Sequence, residues 1–444
     1  MWRRPAHTPV VAAVVSQLLL GVVTAALAQQ PTAHPLGATI DALAGRVEER
    51  VIAWRRDIHQ HPELGNREFR TAQLVADHLR GLGMEVRTGV ARTGVVGLLT
   101  GGRPGPVVAI RADMDALPVT EQVDLPFASR VTAMYAGREV GVMHACGHDL
   151  HTAILMGVAQ VLAEMRRDLP GSVKFIFQPA EEGAPDGEEG GAELMIRQGT
   201  LDDPAPEAVF GLHVFPGEVG TIGYRPGPVL ASSDGLQIVV HGRQTHGAQP
   251  WGGVDPIVVA SQIVLGLQTI ASRQLDVASN ASIITIGSIH GGVRSNIIPD
   301  RVDMIGTIRT FDQDVREDIH RRVRNTAELI AQSAGARAEV SVSLGYPVTV
   351  NDARLTELMV PTMQRVAGPE KVSHIPPVTG SEDFSYYVQR VPGLFLTLGI
   401  TPPGADMDTV AVNHSPFFFA DEAALLVGVK LLSNLAVDYM LMKR

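Results

Sequence analysis

Three short apolar runs, rich in β-branched residues, predict buried β-strands in the first half of the chain. They cover residues 106–112, 172–178 and 207–214. Between the first two, apolar side chains recur at helical spacing from Ile154 to Met165, and Asp149 is placed to cap the start of that helix. Strands that alternate with helices predict an α/β fold whose mainly parallel sheet is covered on both faces.

The pattern changes between residues 231 and 341. Strand-like stretches lie at 235–241, 281–289, 301–310 and 337–344, and helix-like stretches lie at 254–273 and 313–334. This β-α-β-β-α-β order is that of a ferredoxin-like unit, and about 110 residues are enough for a domain. We therefore predict an inserted domain at 231–341, within a first domain built from residues 29–230 and 342–444.

The first 28 residues have the pattern of a secretory signal peptide. Arg3 and Arg4 precede an apolar stretch at 10–25, and the small residues Ala26 and Ala28 fit a cleavage site. We therefore expect a secreted or periplasmic protein with no stable membrane association after cleavage. An uncleaved membrane anchor is the alternative interpretation.

Composition narrows the possible partners of this chain of 444 residues. Its 37 Lys and Arg residues and 47 Asp and Glu residues give a net charge of −10, without the clustered cations that contact phosphates. We therefore expect no nucleic-acid partner. The single cysteine, Cys146, excludes an intramolecular disulfide.

Polar clusters follow the predicted strands, where an open α/β sheet places its ligand crevice. The segment 143–149 (MHACGHD) contains Cys146 and His148, which point the same way in an extended loop and so could hold one metal ion. A buried cysteine in a capping loop is the alternative interpretation.

Segment 178–183 (QPAEEG) places Glu181 beside Glu182. Near a cation, one of two adjacent carboxylates can bind metal while the other remains a free base. The alternative is a solvated acidic turn, as we expect for Glu188 and Glu189.

Two histidines complete the candidate donors. His213 ends the strand at 207–214, where it could equally be a core histidine, and His414 lies in a loop after the apolar run 394–400. With Cys146, His148 and Glu182 they form a sulfur, nitrogen and oxygen set large enough for two metal ions.

These segments, taken in order, are recognisable. The matching segments are 56–64 (RDIHQHPEL), 111–118 (RADMDALP), 143–149, 178–183, 295–299 (SNIIP) and 381–384 (SEDF). The sequence resembles the amidohydrolase branch of the aminoacylase/carboxypeptidase metallopeptidase family, which includes hippurate hydrolases and plant hydrolases of indole-acetyl amino acids. The resemblance implies a metallopeptidase catalytic domain and an inserted domain that serves as a lid and for dimerisation.

The resemblance also implies roles for the candidate residues. It makes Glu181 the general base, and it implies two divalent metal ions per subunit, zinc or manganese, with cobalt or nickel also permitted. The metal ligands that it implies are Cys146, His148, Glu182, His213 and His414. The wider family usually has a His-x-Asp pair where this chain has Asp113 and Asp115, which leaves the division of ligands between the two ions open.

In similar proteins the inserted domain contributes to the site. The resemblance implies a homodimer in which His246 of the partner subunit polarises the scissile carbonyl, while Asn296 and Arg309 bind substrate. A loop histidine, a turn residue and a surface ion pair are the respective alternatives.

The sequence thus predicts metal-dependent hydrolysis of the amide bond of N-acyl amino acids. Two alternatives stay open: a carboxypeptidase or dipeptidase that acts on small peptides at the same site, and a non-catalytic metal- or ligand-binding protein with the same fold.

Overall fold

The computed structural model describes residues 36–443, so the signal peptide predicted at 1–28 lies outside the described residues. Residues 36–443 contain nine α-helices: α1 Gly37–Gln60, α2 Phe69–Gly81, α3 His148–Glu164, α4 Gly191–Arg197, α5 Pro256–Thr269, α6 Gln313–Ser333, α7 Ala353–Ala367, α8 Phe384–Val388 and α9 Ala423–Met442. The first ten strands are β1 Glu85–Val90, β2 Gly94–Thr100, β3 Arg103–Asp113, β4 Thr132–Tyr135, β5 Arg138–Gly141, β6 Pro170–Gln178, β7 Ala208–Glu218, β8 Ile222–Tyr224, β9 Gly227–Leu230 and β10 Asp234–His241. The others are β11 Thr245–His246, β12 Ser282–Gly291, β13 Ile297–Ile298, β14 Arg301–Thr310, β15 Arg337–Leu344, β16 Thr349–Asn351, β17 Val372–His374 and β18 Gly393–Thr401.

The larger sheet has eight strands in the order β1-β2-β6-β3-β7-β18-β8-β17. Its centre is parallel, because β6, β3, β7 and β18 pair in that sense. Antiparallel pairings join β1, β2 and β8 to this centre. The three strands predicted in the first half of the chain are β3, β6 and β7, so the prediction of a mainly parallel sheet is confirmed.

Both faces of the parallel centre are buried. In β3, Val108 and Ile110 belong to the core that packs against α1, α3 and α9, whereas Ala109 belongs to a second core beneath α4 and α8. Successive side chains of a strand point to opposite faces. Burial on both faces explains why these strands read as unbroken apolar runs.

A separate four-stranded sheet has the order β12-β14-β10-β15, with every pairing antiparallel. If these strands are numbered 1 to 4 along the chain, their order across the sheet from the β15 edge is 4-1-3-2, which is the ferredoxin-like arrangement. Helices α5 and α6 cover one face, where Ile263 and Val323 pack with Ile238 and Met304. The predicted β-α-β-β-α-β order is therefore present. The predicted helix at 254–273 is α5 followed by a π-helical turn at Ile270–Gln274.

One local prediction was wrong. Helix α3 begins at His148 and is preceded by Gly147 with φ of 91°, so Asp149 lies in the first turn and does not cap the helix. A Cβ at position 147 would also lie 2.3 Å from a methyl carbon of Val214. Glycine is therefore required here both by the left-handed backbone and by the close approach.

Among the described residues, α9 is the helix long and apolar enough to cross a membrane. However, 72% of its apolar window is buried inside the protein. Leu432 and Leu435 belong to the main core, and Arg365 of α7 pairs with Asp438. These contacts make α9 a core helix of the larger sheet.

Candidate metal centre

The carboxyl edge of the parallel strands gathers the predicted site residues. Glu181 and Glu182 follow β6 by three and four residues. His213 is the middle residue of β7, which lies on the other side of β3 from β6. Strands β3, β6 and β7 are parallel, so their carboxyl ends meet at one edge of the sheet. This is the ligand position expected for an open α/β sheet.

Two loops bring the other donors to the same edge. Cys146 lies just before α3, and His148 is the first residue of that helix. His414 lies between β18 and α9, and its N–H donates to the carbonyl of Ala145 at 2.8 Å. The side-chain amide of Asn413 adds a second hydrogen bond between the two loops, because it donates to the carbonyl of Cys146 at 3.2 Å.

The donor atoms lie within a few ångströms of one another. The Cys146 Sγ is 3.4 Å from Nε2 of His213 and 3.3 Å from Nε2 of His414. Nε2 of His414 is 3.0 Å from a carboxylate oxygen of Glu182. Two ligands of one tetrahedral zinc ion, bound at about 2.0–2.3 Å, lie roughly 3.5 Å apart. The spacing therefore fits a shared cation.

The five predicted ligands fall into two triads. Cys146, His148 and His213 form one, and Cys146, Glu182 and His414 form the other; within each, the donor atoms lie within 4.8 Å of one another. The two triads share Cys146, and this arrangement fits two neighbouring cations better than a single cation.

His148 has an unsatisfied nitrogen that faces this cluster. Within residues 36–443, neither buried ring nitrogen of His148 makes a hydrogen bond, and Nε2 is the one on the side of the cluster. That atom is 3.8 Å from a carboxylate oxygen of Glu181, and Nδ1 on the other side of the ring is 3.3 Å from Asp115. A buried polar atom without a partner is costly, and a cation on Nε2 removes that cost.

Burial shifts the pKa of several groups in this cluster. Burial raises the pKa of the Cys146 thiol to about 12, and burial lowers the pKa of His213 well below its ordinary value. Burial, followed by the charges of Glu382 and Glu182, raises the pKa of Glu181 well above its ordinary value. A divalent cation favours thiolate, carboxylate and neutral imidazole together. The donor set therefore fits a metal centre.

The extended-loop argument for Cys146 and His148 was wrong in its geometry. Gly147 between them is left-handed and His148 is already helical, although both side chains still reach the same place.

Two buried carboxylates next to the donor cluster hold the backbone around it, Asp115 directly and Asp113 through His151. The two oxygens of Asp115 accept the backbone N–H groups of Glu181 and Glu182, each at 3.0 Å. Asp113 lies 2.6 Å from Nδ1 of His151, whose Nε2 accepts the N–H of Val214 at 2.9 Å. Both contacts fix backbone next to proposed ligands.

A fully buried arginine, which the sequence analysis did not name as a site residue, pairs with three carboxylates next to the site. Arg111 contacts Asp113 at 2.6 Å, Asp383 at 2.7 Å and Glu382 at 2.9 Å. Glu382 lines the same cavity as Glu181. The available signal was a charged residue that directly follows the apolar run 106–110 of β3.

The acidic segment after Glu182 is less solvated than expected. Glu188 pairs with Arg67 at 2.6 Å and accepts a hydrogen bond from the Asn66 amide at 3.1 Å. These contacts hold the pKa of Glu188 down at about 2. The side chain of Glu189 is 70% exposed, so the prediction of a solvated turn holds only for that residue.

A cavity of about 340 Å³ opens onto the site. Arg309 of β14 lines it and donates to Ser381 at 3.0 Å, which removes the alternative of a surface ion pair. The cavity is lined by Cys146, Glu181, Glu182, His213, Phe215, Leu230, Arg309, Tyr346, Gly380, Ser381, Glu382, Phe395, Asn413 and His414.

His246 and Asn296 lie elsewhere on the inserted domain. His246 lies in β11 and Asn296 just before β13, and these two short strands pair in a separate antiparallel sheet. The carbonyl of Asn296 accepts the N–H of Gly247 at 2.8 Å. Both residues are exposed, and neither lines the cavity of its own chain.

Comparison with known proteins agrees with this geometry. The profile of Peptidase family M20/M25/M40 matches residues 109–438. The chain is 40% identical over 398 residues to Thermostable carboxypeptidase 1 of Saccharolobus solfataricus, which covers 88% of this chain and 96% of that protein. It is 39% identical over 390 residues to N-acetylcysteine deacetylase of Bacillus subtilis, with coverages of 87% and 96%.

A solved structure adds the metal content of a relative. The YXEP protein of Bacillus subtilis, described as a dinuclear metal binding peptidase from the M20 family, is 36% identical with a TM-score of 0.75. The match covers 89% of this chain and 99% of that one. The relatives named as hydrolases leave the non-catalytic interpretation without support. The chain therefore belongs to Peptidase family M20/M25/M40 and is a metal-dependent hydrolase.

Proposed function

We propose that this protein hydrolyses the amide bond of N-acyl amino acids, with Glu181 as general base. One observation carries the proposal: the Glu181 carboxylate lies 3.8 Å from His148, beside the donor cluster and within the cavity that Arg309 also lines. A carboxylate beside the metal ligands and open to substrate has the position that a base requires.

Different residues of the chain bind metal, transfer the proton and bind the substrate. Cys146, His148, Glu182, His213 and His414 would hold two divalent ions, which supply Lewis-acid stabilisation of the carbonyl oxygen and a more acidic water. Glu181 takes the proton of the attacking water and returns it to the departing amine. The Arg309 guanidinium binds the carboxylate of the amino-acid half of the substrate.

Hydrolysis of small peptides is the second candidate. One relative is named a carboxypeptidase and another an N-acetylcysteine deacetylase, so the same site is compatible with either group beside the amide. A panel of N-acetyl, N-benzoyl and indole-acetyl amino acids, run beside dipeptides, separates the two candidates. Running the panel on metal-free protein reconstituted with zinc, manganese, cobalt or nickel also identifies the metal, for which zinc or manganese is our proposal.

A homodimer completes the proposed site. Exposed apolar side chains on α5 and on the edge strand β12, among them Leu265 at 72% and Ile289 at 51% exposure, support an interface on the inserted domain. His246 of the partner subunit would polarise the scissile carbonyl, and Asn296 would bind substrate. We also propose, from residues 1–28, that the mature enzyme is secreted or periplasmic.

The Glu181→Gln variant tests the general base. We expect kcat to fall by about 10²–10⁴-fold, because the amide cannot take the proton. Elemental analysis should show a full metal content. The matched control is Glu189→Gln, whose side chain pairs with Arg197 on the surface. Near-normal kcat in metal-replete Glu181→Gln would contradict the assignment.

A further inference from the structure

The backbone of Glu181 is held from both sides by side chains of other elements. Its N–H donates to Asp115 at 3.0 Å, and its carbonyl accepts the hydroxyl of Tyr346 at 2.6 Å. Ala180 just before it has φ of 51°, a left-handed conformation that costs free energy in a residue other than glycine. A strained turn keeps one conformation only when its surroundings fix it.

Tyr346 comes from the segment that leaves the inserted domain. It follows β15 by two residues, and its carbonyl accepts the N–H of Ser233 at 2.9 Å. Its own N–H donates to the Ser233 hydroxyl at 3.2 Å. Ser233 lies in the segment that enters the inserted domain, just before β10. The segment that enters the inserted domain and the segment that leaves it are therefore hydrogen-bonded to each other, and Tyr346 lies at this junction.

The ring of Tyr346 is also held in place. It packs edge-to-face against Tyr386, with ring centroids 6.2 Å apart, and it lines the cavity that contains Glu181 and Arg309. A phenol hydroxyl is protonated at neutral pH, so it acts as the donor to the Glu181 carbonyl. The hydroxyl thus reaches from the domain junction to the backbone of the proposed base.

We infer that Tyr346 is a positioning residue for Glu181: its hydroxyl fixes the Glu181 peptide and thereby ties the position of the base to the junction with the inserted domain. The inference rests on the proposed role of Glu181 as general base. It assigns Tyr346 no proton transfer. A hydrogen bond to the backbone matters here because a displacement of about 1 Å at a catalytic group can cost 10²-fold in rate.

The Tyr346→Phe variant removes only the hydroxyl. We expect kcat to fall about 10-fold, while KM stays within twofold and the metal content stays full. The matched control is Tyr386→Phe, because within residues 36–443 the Tyr386 hydroxyl has no hydrogen-bond partner and its ring packs on Tyr346. The control should keep the kcat of the parent enzyme.

A double mutant separates positioning of the base from any other role. If Tyr346 acts through Glu181, Tyr346→Phe should cause no further loss of kcat in the Glu181→Gln background. An unchanged kcat in Tyr346→Phe would overturn the inference, as would a loss that multiplies with that of Glu181→Gln or a change confined to KM. If Glu181→Gln itself keeps near-normal kcat, the proposed base fails and the inference fails with it. A loss in Glu181→Gln alone leaves the base standing and overturns only the inference.

Discussion

Glu181 and Glu182 are adjacent in the chain, and both lie near His148, but their nearest partners differ. Glu182 faces His414 at 3.0 Å and belongs to the triad with Cys146, whereas Glu181 faces His148 across 3.8 Å. Both N–H groups donate to Asp115, so the two residues share a backbone anchor although their side chains have different nearest partners. The two variants should therefore fail in different ways.

For Glu182→Ala, we expect loss of metal as the primary defect. Removing a ligand should weaken binding of at least one ion by roughly 100-fold or more, since mutation of groups that merely orient ligands costs about 10–100-fold. Elemental analysis after dialysis, followed by titration with zinc, measures the loss. Glu189→Ala, at an exposed position, should retain its metal. Full occupancy in dialysed Glu182→Ala would exclude Glu182 as a ligand.

The residues that the sequence predicted share a local signal. Cys146, His148, Glu181 and Glu182 lie in short polar segments after buried strands or at the start of a helix. Tyr346 has no such signal, and its bond to Glu181 joins residues 165 positions apart. Contacts at that separation depend on how the two sheets are placed in space. The local pattern of hydrophobic and polar residues does not contain that information.

At the scale of elements, the predicted strand bounds agree well with the structure in the inserted domain. Strand β14 begins and ends at the predicted residues, and β10 differs by one residue. The reason is physical: this sheet has helices on one face, so its inner positions alternate with exposed ones, as Ile238 does with Gln237. The start of α3 was predicted less well, because it depends on Gly147 and its close approach to Val214 rather than on a capping side chain.

Where the inserted domain joins the rest of the chain, one carboxylate links the start of β10 to helix α6 and to the residue after β15. Asp234 at the start of β10 contacts Arg316 at 2.5 Å and His320 at 2.7 Å, and it accepts the N–H of Gly345 at 3.1 Å. Although burial opposes ionisation, the hydrogen bonds from Arg316 and His320 lower the pKa of Asp234 to about 2. An ionised Asp234 therefore stabilises the folded state.

This depressed pKa predicts a pH-dependent contribution to stability. An aspartate with an ordinary pKa of about 3.9 in the unfolded chain contributes fully above that value, and the contribution is lost as pH falls toward 2. Asp234→Asn should therefore lower the free energy of unfolding at pH 7, on the order of 1–3 kcal/mol, and the difference from the parent should narrow below about pH 4. Urea unfolding followed by circular dichroism measures both. A difference that is constant from pH 7 to pH 3 would contradict the electrostatic origin.

At the scale of the whole molecule, the site combines groups from separate parts of the fold. The parallel sheet supplies Glu181 and Glu182 at its carboxyl edge, and β14 of the inserted domain supplies Arg309 to the same cavity. His246 is on the inserted domain as well, yet it lies outside the cavity of its own chain. A second copy of the chain is thus the source that we propose for this histidine at the site.

Subunit mixing tests that arrangement. Neither His246→Ala nor Glu181→Gln homodimers should turn over substrate at more than a small fraction of the parent rate. In a mixed dimer, the subunit with intact Glu181 receives His246 of the partner subunit, so one of its two sites is complete. Random exchange of equal amounts makes half of the dimers mixed, which restores roughly a quarter of the parent activity.

The control for this experiment mixes Glu181→Gln with Glu182→Ala. Each substitution then affects the site of the subunit that carries it, so no site in the mixed dimer is complete and activity should stay low. Mass spectrometry of the intact dimers verifies the exchange in both mixtures. Recovery in the first mixture and not in the second places His246 in the site of the opposite subunit. Verified mixed dimers of His246→Ala and Glu181→Gln without recovered activity would show that His246 does not act across the interface.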